Sequence, residues 1–101
     1  ARVRFAYLAP GFQIKPHVDY DPSYIVRFHI PLITNKQCTL GASVKNEKKE
    51  VHLPADGNIY FLNTGYKHWA ANNSSDPRIH LIVDVQNQDD LHDLAEFNNY
   101  I

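Results

Sequence analysis

Apolar and β-branched residues alternate with polar residues in short runs along this chain, and turn-forming residues separate the runs. Alternation of this kind places every second side chain on the same face of an extended segment, so each run predicts a β-strand. The predicted strands cover residues 2–9, 25–32, 39–44, 50–54, 58–63, 68–72 and 79–86. Only DDLHDLAEF, residues 89–97, has the spacing of a helix, with acidic residues at its start.

Strands that follow one another with no helix between them indicate an all-β domain, built as an antiparallel sandwich or barrel with a short C-terminal helix. A length of 101 residues is enough for one compact domain and too short for two. We therefore expect residues 1–101 to form a single domain. The chain begins ARVRF and contains no methionine, so we also expect that N-terminal elements are missing from it.

Two of the predicted strands carry one polar and one apolar face. Within IVRFHIPL, Arg27 and His29 share a face, and within PRIHLIVDV so do Arg78, His80 and Asp84. These polar faces either look towards solvent, as is usual in an antiparallel sheet, or line a pocket inside the barrel. In the second case the apolar faces lie on the outside of the barrel and must pack against another element. This element could be the terminal helix, a missing N-terminal segment or the second subunit of a homodimer.

Composition excludes several classes of protein. A net charge of −1 and scattered basic residues give no electrostatic reason to expect nucleic acid as a partner. The mixed-sign run KNEKKE, residues 45–50, predicts a solvated turn. No apolar segment is long enough to suggest a signal peptide or a membrane span, and the single cysteine, Cys38, excludes an intrachain disulfide. We expect a cytoplasmic protein.

The segment KPHVDYD places His17 and Asp19 two positions apart. On an extended segment such residues lie about 7 Å apart at the backbone and project the same way, so both side chains can reach one metal ion. His68, late in the chain after a turn, can return beside them in a sandwich or barrel and supply a third ligand. Two imidazoles and one carboxylate are typical of non-haem Fe(II) oxygenases, but they also serve zinc hydrolases.

Arg78 opens the last strand on its polar face, ten residues after His68. Its planar guanidinium is suited to binding a carboxylate by two hydrogen bonds. The alternative is a structural salt bridge. Asp84 lies about 20 Å along the same strand, which is too far, so Asp76 in the surface turn is the candidate for such a pair.

These residues resemble the aspartyl/asparaginyl β-hydroxylase family of Fe(II)- and 2-oxoglutarate-dependent oxygenases. The segments that carry the resemblance are LAPGFQIKPHVDYD, VRFHIPLITN and GNIYFLNTGYKHWAANNSSDPRIHLIVDV, and they look especially similar to the bacterial branch that includes L-proline cis-4-hydroxylase. The resemblance implies a double-stranded β-helix, that is, a jelly roll of the cupin type.

The resemblance also implies roles for individual residues. His17, Asp19 and His68 would bind Fe(II) and form the catalytic centre, and Arg78 would pair with the distal carboxylate of 2-oxoglutarate. Arg27 and His29 would contact the cosubstrate or the substrate. Dioxygen would then hydroxylate an amino acid, either free and proline-like or within a peptide at Asp, Asn or Pro. The remaining histidines match no family ligand and are expected to be structural or solvent-facing: His52, His80 and His92.

Two other functions stay open from the sequence. One is a non-catalytic jelly-roll module that binds a metal or a sugar, and the other is the zinc-dependent hydrolase. Four residues that flank the predicted ligands are candidate substrate contacts: Tyr20, Asn63, Tyr66 and Trp69. Since Trp69 follows a ligand directly, its side chain is expected on the opposite face of the strand.

Overall fold

The computed structural model describes residues 1–22 and 24–86, which form eight β-strands. In chain order these are β1 Arg2–Leu8, β2 Gln13–His17, β3 Ile25–Ile33, β4 Cys38–Val44, β5 Glu47–Val51, β6 Tyr60–Leu62, β7 Lys67–Asn72 and β8 Arg78–Gln86. The predicted helix at 89–97 lies outside the described residues. No helix long and apolar enough to cross a membrane occurs in the part of the chain that is described.

The strands form two four-stranded antiparallel sheets. The first sheet has the order β1-β8-β3-β6 and the second has the order β2-β7-β4-β5, so the chain crosses repeatedly between the two sheets. This arrangement confirms the prediction of an all-β fold and is compatible with a jelly roll.

Two strand predictions were wrong in detail. Residues 13–17, missing from the predicted strands, form β2, and the segment predicted as a strand at 50–54 is instead the end of β5 and the residues after it. The run at 45–50 is a turn only at Lys45 and Asn46, whose positive φ angles of 50° and 68° suit a two-residue hairpin. From Glu47 onwards the same charged run pairs with β4 as a strand.

The polar faces of β3 and β8 point into the molecule. Along β8, Arg78, His80, Ile82 and Asp84 are buried, and the residues between them are partly exposed. An apolar cluster closes part of the interior and consists of Leu8, Leu40, Leu53 and Ala70, with Val51 and Tyr60 packed against it. The remaining interior is lined by the polar side chains, which decides between the two alternatives for these faces in favour of a pocket.

The outer face of the first sheet is apolar and incompletely covered. Val3, Phe5 and Tyr7 on edge strand β1 are 59%, 73% and 64% exposed, whereas Val26 and Phe28 on the same face are buried. Apolar side chains so exposed fit a surface that something else covers. That a second subunit covers it stays a prediction.

Candidate metal centre

A cavity of about 320 Å³ lies between the two sheets. Its wall contains all six residues for which the sequence predicted a role in binding the metal or the cosubstrate, together with apolar side chains from both sheets. The lining residues are Arg4, Ala6, Ile14, His17, Asp19, Arg27, His29, Leu40, Leu62, His68, Trp69, Ala70, Arg78 and Ile82. The cavity thus combines apolar side chains with an equal number of arginine, histidine and aspartate side chains that converge on it, and convergent polar groups in an enclosed wall are typical of ligand sites.

Two histidines face each other across neighbouring strands. His17 ends β2 and is the register partner of His68 on β7, so the imidazole centroids lie 4.2 Å apart. In each case Nδ1–H donates to the backbone carbonyl two residues earlier, from His17 to Lys15 at 2.7 Å and from His68 to Tyr66 at 2.8 Å. Because a carbonyl only accepts, both protons are on Nδ1, and Nε2 of each ring is left as the metal-binding nitrogen.

Asp19 completes the group from the segment that follows β2, rather than from the strand itself. Its backbone N–H donates to the carbonyl of Thr64 at 2.8 Å, which holds this segment beside the loop before β7. One carboxylate oxygen, Oδ2, lies 3.2 Å from Nε2 of His17 and 3.3 Å from Nε2 of His68. The three potential ligand atoms all lie within 4.8 Å of one another.

The donor set fits a divalent metal ion. Nε2 of His68 is buried and has no hydrogen-bond partner, although it lies within ion-pair distance of Asp19. A buried nitrogen of this kind is costly unless something binds it, and a metal ion would do so. Two imidazole nitrogens and a carboxylate on one side of an ion suit Fe(II) or Zn²⁺ alike. His17, Asp19 and His68 are therefore a centre that could hold a metal.

Arg27 is held between two carboxylates at the cavity wall. Nε and Nη2 donate to Asp84 at 2.7 and 3.1 Å, and Nη1 donates to Asp19 at 3.2 Å. The hydrogen bond to Asp84 outweighs burial and raises the pKa of Arg27. Burial opposes ionisation of Asp84, but Arg27 and Arg4 outweigh it and lower the pKa of that carboxyl. Arg27 and Asp84 are therefore both charged at neutral pH.

Arg78 is a buried cation with no counter-ion in residues 1–22 and 24–86. It is 3% exposed, its Nε has no hydrogen-bond partner, and no carboxylate of that part of the chain lies within ion-pair distance. The pair with Asp76 that the sequence left open is thus not formed. Burial lowers the pKa of Arg78 from its usual value, but an arginine stays protonated at neutral pH. Such a residue in a cavity wall fits the binding of an anion.

His29 also lines the cavity, and its ring contacts another histidine. Nδ1 of His29 lies 3.0 Å from Nδ1 of His80, so one ring donates to the other, and Nε2 of His29 is buried without a partner. Burial, and then the neighbouring positive charges, lower the pKa of both rings, that of His80 to about 3. Both imidazoles are therefore neutral. His52 lies elsewhere, with Nδ1 hydrogen-bonded to the carbonyl of Cys38, and His92 is outside the described residues.

Of the four candidate substrate contacts, only Trp69 lines the cavity. Tyr20 packs against Tyr24 with ring centroids 5.8 Å apart, and Asn63 accepts a hydrogen bond from the backbone of Gly65. The indole of Trp69 lies against Gly41 and donates to Glu50, as expected for a side chain on the face opposite His68.

Sequence reasoning did not identify Arg4 and Asp84 as parts of this site. Both belong to inward faces, but their contact with Arg27 depends on β1, β8 and β3 being neighbours. The alternation along RVRFAYL, which turns Arg4 to the side opposite Phe5, is the signal that could have drawn attention to it.

A family model described as aspartyl/asparaginyl beta-hydroxylase matches residues 1–88. The match covers most of the chain and includes every residue of the metal centre and of the arginine pairs around it.

Proposed function

The chain belongs to the aspartyl/asparaginyl β-hydroxylase family, and from this premise we propose that it is a Fe(II)- and 2-oxoglutarate-dependent dioxygenase that hydroxylates an amino acid. The substrate is either free and proline-like, as the similarity to the L-proline cis-4-hydroxylase branch suggests, or a residue within a peptide. The observation that carries the proposal is the convergence of His17, Asp19 and His68 in a cavity whose wall also contains Arg78, a buried cation with no counter-ion in the part of the chain described.

His17, Asp19 and His68 would hold the metal on one side and leave the other side open for small molecules. When bound, Fe(II) and 2-oxoglutarate supply the oxidising chemistry by which dioxygen hydroxylates a carbon atom. The side chains of His17 and Asp19 are 38% and 32% exposed, so the substrate would approach from their side of the centre. His68 is buried beneath them and would anchor the ion from within the sheet.

Arg78 would bind the distal carboxylate of 2-oxoglutarate. A dicarboxylate can span from a metal centre to a guanidinium in the same cavity, and each charge-assisted hydrogen bond contributes about 1.5–3 kcal/mol. Nε2 of His29 is a second unpartnered group on this wall, and it would contact the same molecule or the substrate.

The soluble, reducing cytoplasm is our proposed location. It is supported by Cys38, which is a buried free thiol rather than part of a disulfide.

The test is a turnover assay with Fe(II), 2-oxoglutarate, dioxygen and a panel of substrates. The panel contains free proline and its analogues, and peptides with Asp, Asn or Pro, and succinate is measured. We expect succinate from the wild-type protein, increased by the correct substrate, and none from His68→Ala. His52→Ala, a histidine variant outside the cavity, should keep wild-type turnover. Absence of both coupled and uncoupled turnover overturns the proposal.

The same preparation separates the competing functions. Protein purified without added metal is analysed for metal content. Tightly bound zinc together with hydrolytic activity would identify a zinc hydrolase. Metal binding that survives His17→Ala, with no turnover, would identify a binding module.

A further inference from the structure

We propose that Arg27, anchored by Asp84, is a positioning residue that fixes the carboxylate of Asp19 for the metal. The inference rests on the metal centre of the proposed function. It gives Arg27 a role different from the contact with the cosubstrate or the substrate that the family resemblance implies.

The guanidinium of Arg27 is divided between two acceptors. Its Nε and Nη2 form a two-bond pair with Asp84, at 2.7 and 3.1 Å, and Nη1 alone reaches Oδ2 of Asp19 at 3.2 Å. A planar guanidinium held by two bonds cannot rotate, so the direction of the third N–H is fixed as well. Asp84 therefore determines where Arg27 presents its bond to Asp19.

The Arg27–Asp84 pair is built into the sheet. Arg27 on β3 and Asp84 on β8 are register partners, and the side chain of Asp84 is only 8% exposed. Arg4 on the next strand donates a further bond to Asp84 at 3.1 Å. The carboxylate of Asp84 is thus held from both neighbouring strands of the first sheet.

Asp19 has less support of its own. It follows the end of β2, is about one-third exposed, and among the described residues its backbone is tied by the bond to Thr64. Its Oδ2 is the oxygen that faces both imidazoles, and it is also the oxygen that Arg27 contacts. Asp19 lies in the loop after β2, at the edge of the second sheet. The hydrogen bond from Arg27 therefore joins its carboxylate to the Arg27–Asp84 pair, which is held rigidly in the first sheet.

Positioning and simple electrostatics predict opposite results for the loss of Arg27. If Arg27 acted only through its charge, removing a cation beside the centre would tighten the binding of a divalent ion. If it holds Asp19 in place, removing it weakens binding, because the carboxylate must then be ordered by the metal itself. Residues that orient metal ligands typically change metal affinity by about 10- to 100-fold when they are lost.

The experiment measures Mn²⁺ affinity of the purified protein by calorimetry at constant ionic strength. We expect Arg27→Gln to weaken binding by about tenfold or more. Arg27→Lys keeps the charge but lacks the planar fork that pairs with Asp84 by two bonds and directs a third N–H at Asp19, so it should behave like Arg27→Gln. Asp56→Asn, at an exposed carboxylate outside the cavity that is hydrogen-bonded to Asn58 and Tyr60, is the control matched to Asp84→Asn and should bind as the wild type does.

A double variant isolates the route of the effect. Asp84→Asn alone should weaken Mn²⁺ binding, whereas in the Arg27→Gln background it should change affinity by no more than about twofold. Co²⁺ absorption provides a second readout, since a displaced Asp19 changes the ligand field. Thermal unfolding identifies any variant that does not fold, in which case Arg27→Lys and Asp84→Asn still test the inference.

Mn²⁺ binding by Arg27→Gln and Arg27→Lys as tight as, or tighter than, binding by the wild type overturns the inference while leaving the metal centre intact. Wild-type protein that binds no Mn²⁺ at all would contradict the proposed function, and this inference with it.

Discussion

Arg78 places a positive charge inside the protein without a partner from the part of the chain described. Burying an ion costs several kcal/mol when no counter-charge accompanies it, so a side chain of this kind lowers the stability of the fold. Such an arrangement is understandable if a ligand supplies the missing negative charge. In the proposed function, Arg78 would therefore reduce the stability of the fold and favour the binding of an anion.

This trade-off can be measured with Arg78→Met, which keeps an unbranched, flexible side chain and removes its charge. We expect the free energy of unfolding to stay the same or to rise by up to about 2 kcal/mol. The affinity for 2-oxoglutarate in the presence of Mn²⁺ should fall by at least about tenfold. Urea unfolding and calorimetry measure the two quantities, and Arg2→Met, at an exposed arginine that begins β1, is the control. Loss of stability without loss of affinity would make Arg78 structural.

At the scale of the strand, the two errors of sequence interpretation have one cause. β2 and β5 are the two edges of the second sheet, and four of the five residues in each strand are exposed. A strand that is exposed on both faces has no buried face that requires apolar residues. Polar and apolar residues therefore do not alternate along its sequence. Lysine, glutamate and proline on such strands discourage pairing with other chains. The central strands, which alternate, were predicted well.

The convergence of His17, Asp19 and His68 was easier to predict than the contacts around them. His17, Asp19 and His68 have a recognisable spacing, and the fold brings them together. Spacing along the sequence could not show that Asp84 pairs with Arg4 and Arg27. These arginines lie on β1 and β3, and the sequence does not specify which strands are neighbours of β8. The alternation of residues thus indicates which face of a strand a side chain occupies. Only the order of the strands in the sheet indicates which residues the side chain contacts on that face.

Strand β4 depends on a glycine where it passes β7. Gly41 and Trp69 are register partners, and a Cβ on Gly41 would overlap the indole ring. We expect Gly41→Ala to displace the indole, break its bond to Glu50 and destabilise the protein by about 1–3 kcal/mol. Urea unfolding measures the loss, and the fluorescence of the single tryptophan reports the displacement. Ser43→Ala in the same strand should have neither effect; an unchanged emission spectrum of Gly41→Ala would contradict the argument.

For the molecule as a whole, the polar interior makes stability depend on pH. The pKa of His80 is lowered to about 3 by burial and by Arg78, whereas in the unfolded chain it is about 6.5. Above the unfolded value neither state binds the proton. As the pH falls below it, only the unfolded state becomes protonated, so stability decreases until the folded pKa is reached. His29 acts in the same direction.

Urea unfolding at several pH values tests this linkage. Between about pH 7 and pH 5, His80 should account for about 2 kcal/mol of the stability that the wild type loses. His80→Asn should therefore lose about that much less over the same range. Ile82→Val, a buried substitution on the same strand with no titrating group, should be less stable at every pH but keep the wild-type slope. Equal slopes for wild type and His80→Asn would show that the ring is not held neutral.

The tethering of both imidazoles to carbonyls two residues earlier has a consequence for how an ion is captured. His17 and His68 have their rings oriented by their own strands, so neither needs a rotamer search when a metal arrives. The entropy of ordering these donors is lost when the chain folds and not again on coordination. In the proposed function, the two imidazoles would therefore receive an ion without being reordered, and they would keep the same orientation after the ion is removed.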